Sequence, residues 1–150
     1  MLWARLALVG FVAFLSTLIW LADAGRGHWL FSLARSLPGG DKAGHFILFG
    51  LFSLLLNVVL RAAVIRWGKL PVLKGSLIVG LFAVAEEVSQ LFFAARTFDL
   101  LDLGAGLVGI LIFGRMASRC FKYQPALAVR STARLNESDR DARPRVLGDR

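Results

Sequence analysis

The sequence predicts an all-α integral membrane protein, a bundle of four transmembrane helices with both termini in the cytoplasm and a short disordered carboxyl-terminal tail. The chain has 150 residues, of which 57% are hydrophobic and only 19% charged, whereas a soluble domain carries about a quarter charged residues. The mean hydropathy is +0.65. The apolar residues also gather into long runs, and the basic residues gather between these runs, as is typical of membrane proteins.

The first run covers residues 2–21, and at about 1.5 Å per residue it is long enough for the ~30 Å hydrocarbon core of a bilayer. Ala22-Asp23-Ala24 follows and also suits signal-peptidase cleavage. Because the apolar stretch is longer than in most signal peptides, we expect a retained span. In the next loop, 23–40, we expect residues 28–31 (His-Trp-Leu-Phe) to lie among the lipid headgroups, where Trp is favoured.

The remaining runs cover residues 46–65, 75–95 and 100–117. Asp41 follows Pro38-Gly39-Gly40 and is expected to cap the helix of the second run. Asn57 and Arg61 make the far half of that run less apolar. Residues 123–150 are polar, with too few large apolar residues to form a core. They predict a disordered cytoplasmic tail after a membrane domain of residues 1–122.

Lysine and arginine set the predicted orientation, because cytoplasmic loops carry an excess of them. If the four spans alternate in direction, eight bases fall on one side: Arg5, Arg61, Arg66, Lys69, Lys74, Arg115, Arg119 and Lys122. Four fall on the other: Arg26, Arg35, Lys42 and Arg96. The first side is therefore predicted to be cytoplasmic. The same alternation puts every acid of residues 1–122 on or toward the outer side: Asp23, Asp41, Glu86, Glu87, Asp99 and Asp102.

Two adjacent carboxylates interrupt the third run. Glu86 lies about 16 Å along a helix from Gly75, and a carboxylate at that depth costs at least a few kcal/mol if it faces lipid. Gln90 is four residues from Glu86 and three from Glu87, so all three can approach one face. Because consecutive helical residues point about 100° apart, we expect only one of the two glutamates to be central.

Polar residues at the outer ends of the second and fourth runs are the expected partners of these glutamates. The predicted ligand-binding set is Asp41, Lys42, His45, Glu87, Gln90, Arg96, Asp99 and Asp102, and the candidates for a catalytic group are Glu86, Glu87, Asp102 and His45. Close carboxylates shift one another's pKa values, which suits acid–base chemistry.

Plainer roles stay open for several of these residues. Asp41 and Asp99 could serve only as helix caps, and His45 could be an interfacial residue without chemistry. Arg96 could clamp a phosphate or carboxylate, or form a structural ion pair with Glu87, Asp99 or Asp102. Small residues let helices approach closely in lipid, so a packing role is favoured for three glycines of the fourth run, Gly104, Gly106 and Gly109.

The set of motifs resembles the VanZ-like family of bacterial membrane proteins. The motifs are Asp41-Lys42-x-x-His45, Glu86-Glu87-x-x-Gln90 and Arg96-Thr97-Phe98-Asp99-x-x-Asp102 with a later Gly109, and they cover about residues 38–114. The resemblance implies a multi-pass protein of the bacterial cytoplasmic membrane. The family takes its name from a member that confers resistance to the glycopeptide antibiotic teicoplanin. Gly106 stands where the family often has Asn, which removes an amide from the expected cluster.

Three functions follow as hypotheses. The outer cluster binds or modifies an envelope lipid or a glycopeptide-type ligand; or a glutamate carries protons or ions in a small transporter; or the cluster only holds helices together. The transporter is less favoured, because the inner halves of the spans lack acids and histidines. Whether the chain is an enzyme stays open.

The expected partners are the lipid bilayer and an envelope ligand. Oligomerisation is left open. The net charge of +8 does not indicate nucleic acid here, since the bases flank hydrophobic runs. The single cysteine excludes a disulfide within the chain and makes a cysteine-based zinc site implausible. His45 with Asp41 and the two glutamates is a weak metal-binding set, so no metal and no other cofactor is expected.

Overall fold

A computed structural model describes residues 1–26, 32, 36, 39–68, 70–94 and 96–122 of the chain. The predictions for residues 28–31 and for the tail 123–150 lie outside this part. The chain divides into two compact units, Met1–Ser118 and Arg119–Arg150. Of the second unit the structure describes only the last helical residues, 119–122.

Four helices make up most of the described chain. They are α1 (Leu2–Asp23), α2 (Gly40–Val59), α3 (Lys74–Ser89) and α4 (Leu100–Lys122). A 3-10 turn, Gln90–Phe92, continues α3. All four are long and apolar enough to cross a membrane when the 3-10 turn is counted with α3. The prediction of four long apolar helices is therefore confirmed.

A β-hairpin that the sequence did not predict joins α2 to α3. Strand β1 (Val64–Trp67) pairs antiparallel with β2 (Leu70–Leu73). It occupies the end of the predicted second span, which was therefore wrong: the helix is Gly40–Val59 and not residues 46–65. The apolar run continues from helix into strand without a change in composition, so hydropathy alone could not find the boundary.

A left-handed turn ends α2. Arg61 and Ala62 have φ values of 54° and 52°, a backbone conformation that residues other than glycine rarely adopt. The Ala62 N–H donates to the Asn57 carbonyl over 2.7 Å, which satisfies one of the carbonyls left unpaired at a helix end. This closure turns the chain out of the helix before the strand begins.

At its other end α2 begins on Gly39, whose φ of 71° is left-handed. No side chain caps this end, so the prediction that Asp41 caps the helix is wrong. Asp41 lies in the first turn and is exposed. A negative charge in that position still interacts favourably with the helix dipole.

The apolar core lies between α2, α3 and α4. Phe49, Val79, Ala83 and Ile110 are buried together there. Helix α1 packs against α2, with 6.1 Å between the ring centroids of Phe11 and Phe52, and Leu15 is its buried residue. Large apolar side chains on the outward faces of all four helices stay exposed, among them Leu6, Ile47, Leu81 and Leu111.

Two of the three predicted packing glycines bring α4 close to α2. A Cβ added to Gly109 would meet the backbone of Phe46, and one added to Gly106 would lie 2.9 Å from the Phe49 ring. A Cβ added to Gly104 would have no neighbouring atom within 4 Å. The packing role therefore holds for Gly106 and Gly109 and not for Gly104.

A buried set of uncharged polar side chains, here called the neutral network, joins the same three helices near the hairpin. It consists of Ser53 and Asn57 on α2 and Ser76 on α3. The Asn57 amide donates to the Ser76 hydroxyl over 2.9 Å, and its oxygen accepts the Gly75 N–H over 3.1 Å. The Ser53 hydroxyl donates to the Ile110 carbonyl over 3.1 Å. The network therefore caps the start of α3 with a side chain from α2 and ties both helices to α4.

Candidate functional site

Polar side chains from all four helices meet at the other end of the bundle and form what we call the charged cluster. Its members are Asp23, Lys42, His45, Glu86, Glu87, Gln90, Arg96, Asp99 and Asp102. They meet because successive helices run in opposite directions, so the end of α1, the start of α2, the end of α3 and the start of α4 share one end. All predicted site residues are present except Asp41. Asp23 is an addition.

Both glutamates of α3 are buried, with 7% exposure for Glu86 and 1% for Glu87. The expectation that only one would be central was wrong. They point in different directions, as the helix requires, but each direction leads to polar groups. Glu86 accepts from Arg96 over 2.7 Å, and Glu87 accepts the backbone N–H of Asp99 over 2.7 Å.

Gln90 links the two glutamates. Its amide nitrogen lies 3.2 Å from each carboxylate oxygen of Glu86 and 3.3 Å from Oε2 of Glu87. The spacing of four and three residues predicted this arrangement. Because Gln90 begins the 3-10 turn, its amide lies at the point where α3 ends.

Arg96, in the loop between α3 and α4, bridges α3 to α1. Besides Glu86, it contacts Oδ1 of Asp23 at 3.4 Å. One alternative paired Arg96 with Glu87, Asp99 or Asp102. Among the described residues, its ion-pair partners are instead Glu86 and Asp23. The sequence signal for Asp23 was its membership in the set of acids on the outer side, but its position between two alanines suggested only a processing site.

Lys42 connects α2 to the start of α4. Its ammonium lies 3.1 Å from both Asp99 and Asp102. Asp99 also accepts the Leu101 N–H over 2.8 Å, so it caps α4 as well as pairing with the lysine. The hydrogen bond from Leu101, followed by that from the Lys42 ammonium, holds the pKa of the Asp99 carboxyl below its usual range.

His45 lies between the carboxylates of α3 and α4. Its Nε2 is 4.0 Å from Glu87 and its Nδ1 is 3.9 Å from Asp102, both too long for hydrogen bonds. Nδ1 lies 3.1 Å from the carbonyl oxygen of Asp41, and this contact requires a proton on Nδ1. The ring also stacks on Phe49 at 5.8 Å between centroids. A second proton on Nε2 would face Glu87.

Asp41 contributes its backbone carbonyl and not its carboxylate. In the part of the chain that the structure describes, no hydrogen bond or ion pair involves that carboxylate, which is exposed. Phe49, which the sequence did not single out, takes part through its ring. With glycine at position 106, the Phe49 ring occupies the space into which a side chain there would project.

The charges of the cluster do not balance. Among the described residues it holds five carboxylates, Asp23, Glu86, Glu87, Asp99 and Asp102, against two permanent cations, Lys42 and Arg96. The excess is three negative charges with His45 neutral and two with it protonated. Glu86 and Glu87 are buried, whereas the three aspartates are partly exposed. Uncompensated charge is costly at the buried part of the cluster, so the arrangement favours protons or a positively charged group there.

His45, Glu86 and Glu87 also bring one ligand atom each to within 4.8 Å of one another. Nitrogen and carboxylate oxygen are donors that suit several divalent metals. Glu86 is, however, already bound by Arg96 and Gln90, so a metal would have to displace these contacts. The expectation of no metal stays a prediction.

The charged cluster on an all-helical membrane-type bundle defines a class, a small helical protein with a polar site at one end of its apolar helices. Comparison of the chain with protein-family models, with curated proteins and with solved structures gave no match. The VanZ-like resemblance therefore rests on the motifs in the sequence.

Proposed function

We propose that this chain is a multi-pass protein of the bacterial cytoplasmic membrane, with both termini inside. Its charged cluster lies in the outer leaflet and binds or modifies an envelope lipid or a glycopeptide-type ligand. The four long apolar helices and their exposed apolar faces support the membrane location. Basic residues at the opposite end of the bundle support the orientation. The VanZ-like resemblance connects the proposal to resistance against teicoplanin-type antibiotics.

The observation that carries the proposal is the excess of carboxylates over cations in the charged cluster. Carboxylates in excess of cations in a partly desolvated site are stabilised by protons or by a positively charged partner. Protons, or a positively charged group of a ligand, supply the missing charge. This excess of carboxylates supports a site that exchanges protons or binds a positively charged group.

The surface beside the cluster suits a ligand with an apolar part. A shallow depression is lined by Gln90, Leu91, Phe92, Phe93, Arg96, Thr97 and Phe98. Leu91 and Phe92 are 65% and 80% exposed, directly after the amide of Gln90. A lipid would place its chains against this apolar segment and its headgroup near Arg96 and Gln90.

His45 places an imidazole ring between two carboxylates. Its two ring nitrogens face Glu87 and Asp102. Proton transfer between the ring and either carboxylate needs only a short approach, or one bridging water. These groups can move a proton to or from a bound ligand.

The proposal is tested by the antibiotic sensitivity of cells that carry variants. We expect Glu87→Gln, which keeps the shape and removes a charge, and Arg96→Ala to increase sensitivity to teicoplanin or another envelope antibiotic at matched protein level. Asp41→Asn is the control, because its carboxylate lies on the same end of the bundle but outside the cluster. Wild-type sensitivity of both cluster variants would overturn the proposal.

A structural role is the second candidate, and one observation favours it. In the described part of the chain, no buried side-chain nitrogen or oxygen lacks a hydrogen-bond partner, and the ion pairs join α1, α2, α3 and α4. If Glu87→Gln or Asp102→Asn prevents folded protein from accumulating, this role is favoured. Variants that fold normally but lose the resistance phenotype favour the binding site.

A further inference from the structure

The hairpin between α2 and α3 exposes apolar side chains on one face. Cross-strand partners project to the same side of a two-stranded sheet. Leu70 therefore shares one face with the pair Ile65–Val72, and Val64–Leu73 and Arg66–Pro71 share the other. On the first face, Leu70 is 70% exposed and Ile65 is 42% exposed, while Val72 is partly buried.

All charged residues in the segment around the hairpin are basic. No acidic residue occurs between Asp41 and Glu86. Arg61, Arg66 and Lys74 are exposed at the hairpin or at its ends. Lys69, in the turn by sequence, lies outside the described residues. The bases and the apolar face thus belong to the same ten-residue element and its immediate flanks.

Neither the hydrocarbon core of a bilayer nor bulk water suits the hairpin. Its outer strand edges carry backbone groups that need hydrogen bonds, which the hydrocarbon core cannot supply. Its apolar face is unfavourable in water, and strands of four residues make a hairpin that is only marginally stable in water by itself. The headgroup zone of a bilayer offers hydrogen bonds on one side and apolar chains on the other.

We infer that the hairpin is a docking surface for anionic lipids of the cytoplasmic leaflet. Its face with the exposed side chains of Ile65 and Leu70 enters the boundary between headgroups and acyl chains, and Arg61, Arg66 and Lys74 contact lipid phosphates. Basic segments beside membrane spans bind the negative inner leaflet in this way. The inference rests on the membrane location and orientation given under Proposed function.

Depth measurements on neighbouring positions test the docked face. In a Cys120→Ser background, a spin label is attached at Leu70→Cys or at Pro71→Cys, which lie on opposite faces of β2. The full chain is reconstituted in vesicles containing phosphatidylglycerol. We expect oxygen to relax the label at position 70 and a water-soluble nickel chelate to relax the label at position 71. Nickel access at both positions would overturn the inference and would leave a soluble acidic partner as the occupant.

The charge requirement is tested with the label at position 70. Arg66→Gln is expected to lower the ratio of membrane-bound to aqueous label by about fivefold in phosphatidylglycerol vesicles, since each base near such a surface contributes about this factor. Arg26→Gln, at the other end of the bundle, is the control and is expected to leave the ratio unchanged. An equal ratio in wild type and Arg66→Gln would overturn the role of the bases.

A carbonate wash separates failure of this inference from failure of the proposed function. If the chain leaves the vesicles, the membrane location itself is wrong. If the chain stays and the label at position 70 reports an aqueous environment, only the docking of the hairpin is wrong.

Discussion

The neutral network and the charged cluster lie at opposite ends of the same helices, and they differ in what completes them. In the neutral network, the donors of Asn57 and Ser53 meet acceptors within the protein, and no charge is present. In the charged cluster, five carboxylates face two permanent cations. The first region is complete as folded, so packing explains it. The second carries more carboxylates than cations, so its contacts within the protein do not balance its formal charge.

The largest effect is expected from Arg96→Ala, which tests whether the cluster depends on its partly buried cation. The change leaves Glu86 and Asp23 without their partner. Because the Arg96 side chain is 15% exposed, we expect a loss of about 3 kcal/mol, the lower end for breaking a buried ion pair. The measurement is thermal unfolding of the purified protein in detergent.

Adding Glu86→Gln to Arg96→Ala is the control, because it removes the carboxylate that the arginine compensates. We expect the double variant to recover much of the stability. If the double variant is as unstable as Arg96→Ala, the contribution of Arg96 comes from packing and not from charge.

Gly109→Ala tests the contact on which both polar regions depend, since α4 lies close to α2 at this position. The new Cβ would meet the backbone of Phe46, which cannot rotate away as a side chain can. We therefore expect the protein to lose about 3 kcal/mol of stability, the upper end for overpacking. The free energy of unfolding measures it.

Gly104→Ala is the matched control for this glycine, because the space around its Cβ is open. Alanine favours helix over glycine, so this variant should be as stable as the wild type or up to about 1 kcal/mol more stable. Equal destabilisation by both substitutions would show that close packing is not the cause.

Asn57→Ala tests the neutral network. It removes the amide that joins Ser53, Ser76 and the Gly75 N–H. Buried groups left without partners cost about 1–3 kcal/mol of stability. We therefore expect the variant to be less stable by about 2 kcal/mol, as measured by thermal unfolding.

This loss should not change with pH or salt, because no member of the neutral network is charged. Thr17→Ala is the control, since that hydroxyl donates to Ala13 within its own exposed helix, and no measurable loss is expected. A strong pH dependence of the Asn57→Ala effect would break the distinction between the two regions.

The smallest effect concerns Asp99, whose pKa is lowered by Leu101 and Lys42. A group with a lowered pKa stabilises the fold above its unfolded pKa, and this contribution is lost as pH falls below about 4. Asp99→Asn keeps a capping side chain without the titration. We expect its melting temperature to fall less than that of the wild type between pH 5 and pH 3, about one pH unit either side of the usual Asp value.

The sequence predicted the members of the charged cluster better than it predicted the ends of the helices. Acids at the ends of spans that alternate in direction must meet at one end of the bundle, so most cluster members followed from the sequence. The partners of Arg96 did not, because the path of a loop past α1 leaves no spacing pattern. The end of α2 was missed because Val64 and Ile65 extend an apolar run across a turn at Arg61 and Ala62.

The neutral network shows a second reason for such misses. Asn57 looks like a weak point in a transmembrane run when it is considered alone. Its role depends on where α3 starts, and the hairpin fixes that start. The role of a residue that caps another helix cannot be predicted until the start of that helix is known.

The contact between Asp23 and Arg96 has a consequence for biogenesis. It joins residues 73 positions apart, so the carboxylate at the end of α1 is synthesised long before its partner. During translation α1 is made first, and the apolar contact with α2 is available to it as soon as α2 has emerged. Its charged end is fixed only when the loop after α3 has been made. Assembly of the charged end of the bundle is therefore a late event, completed from the carboxyl-terminal half of the chain.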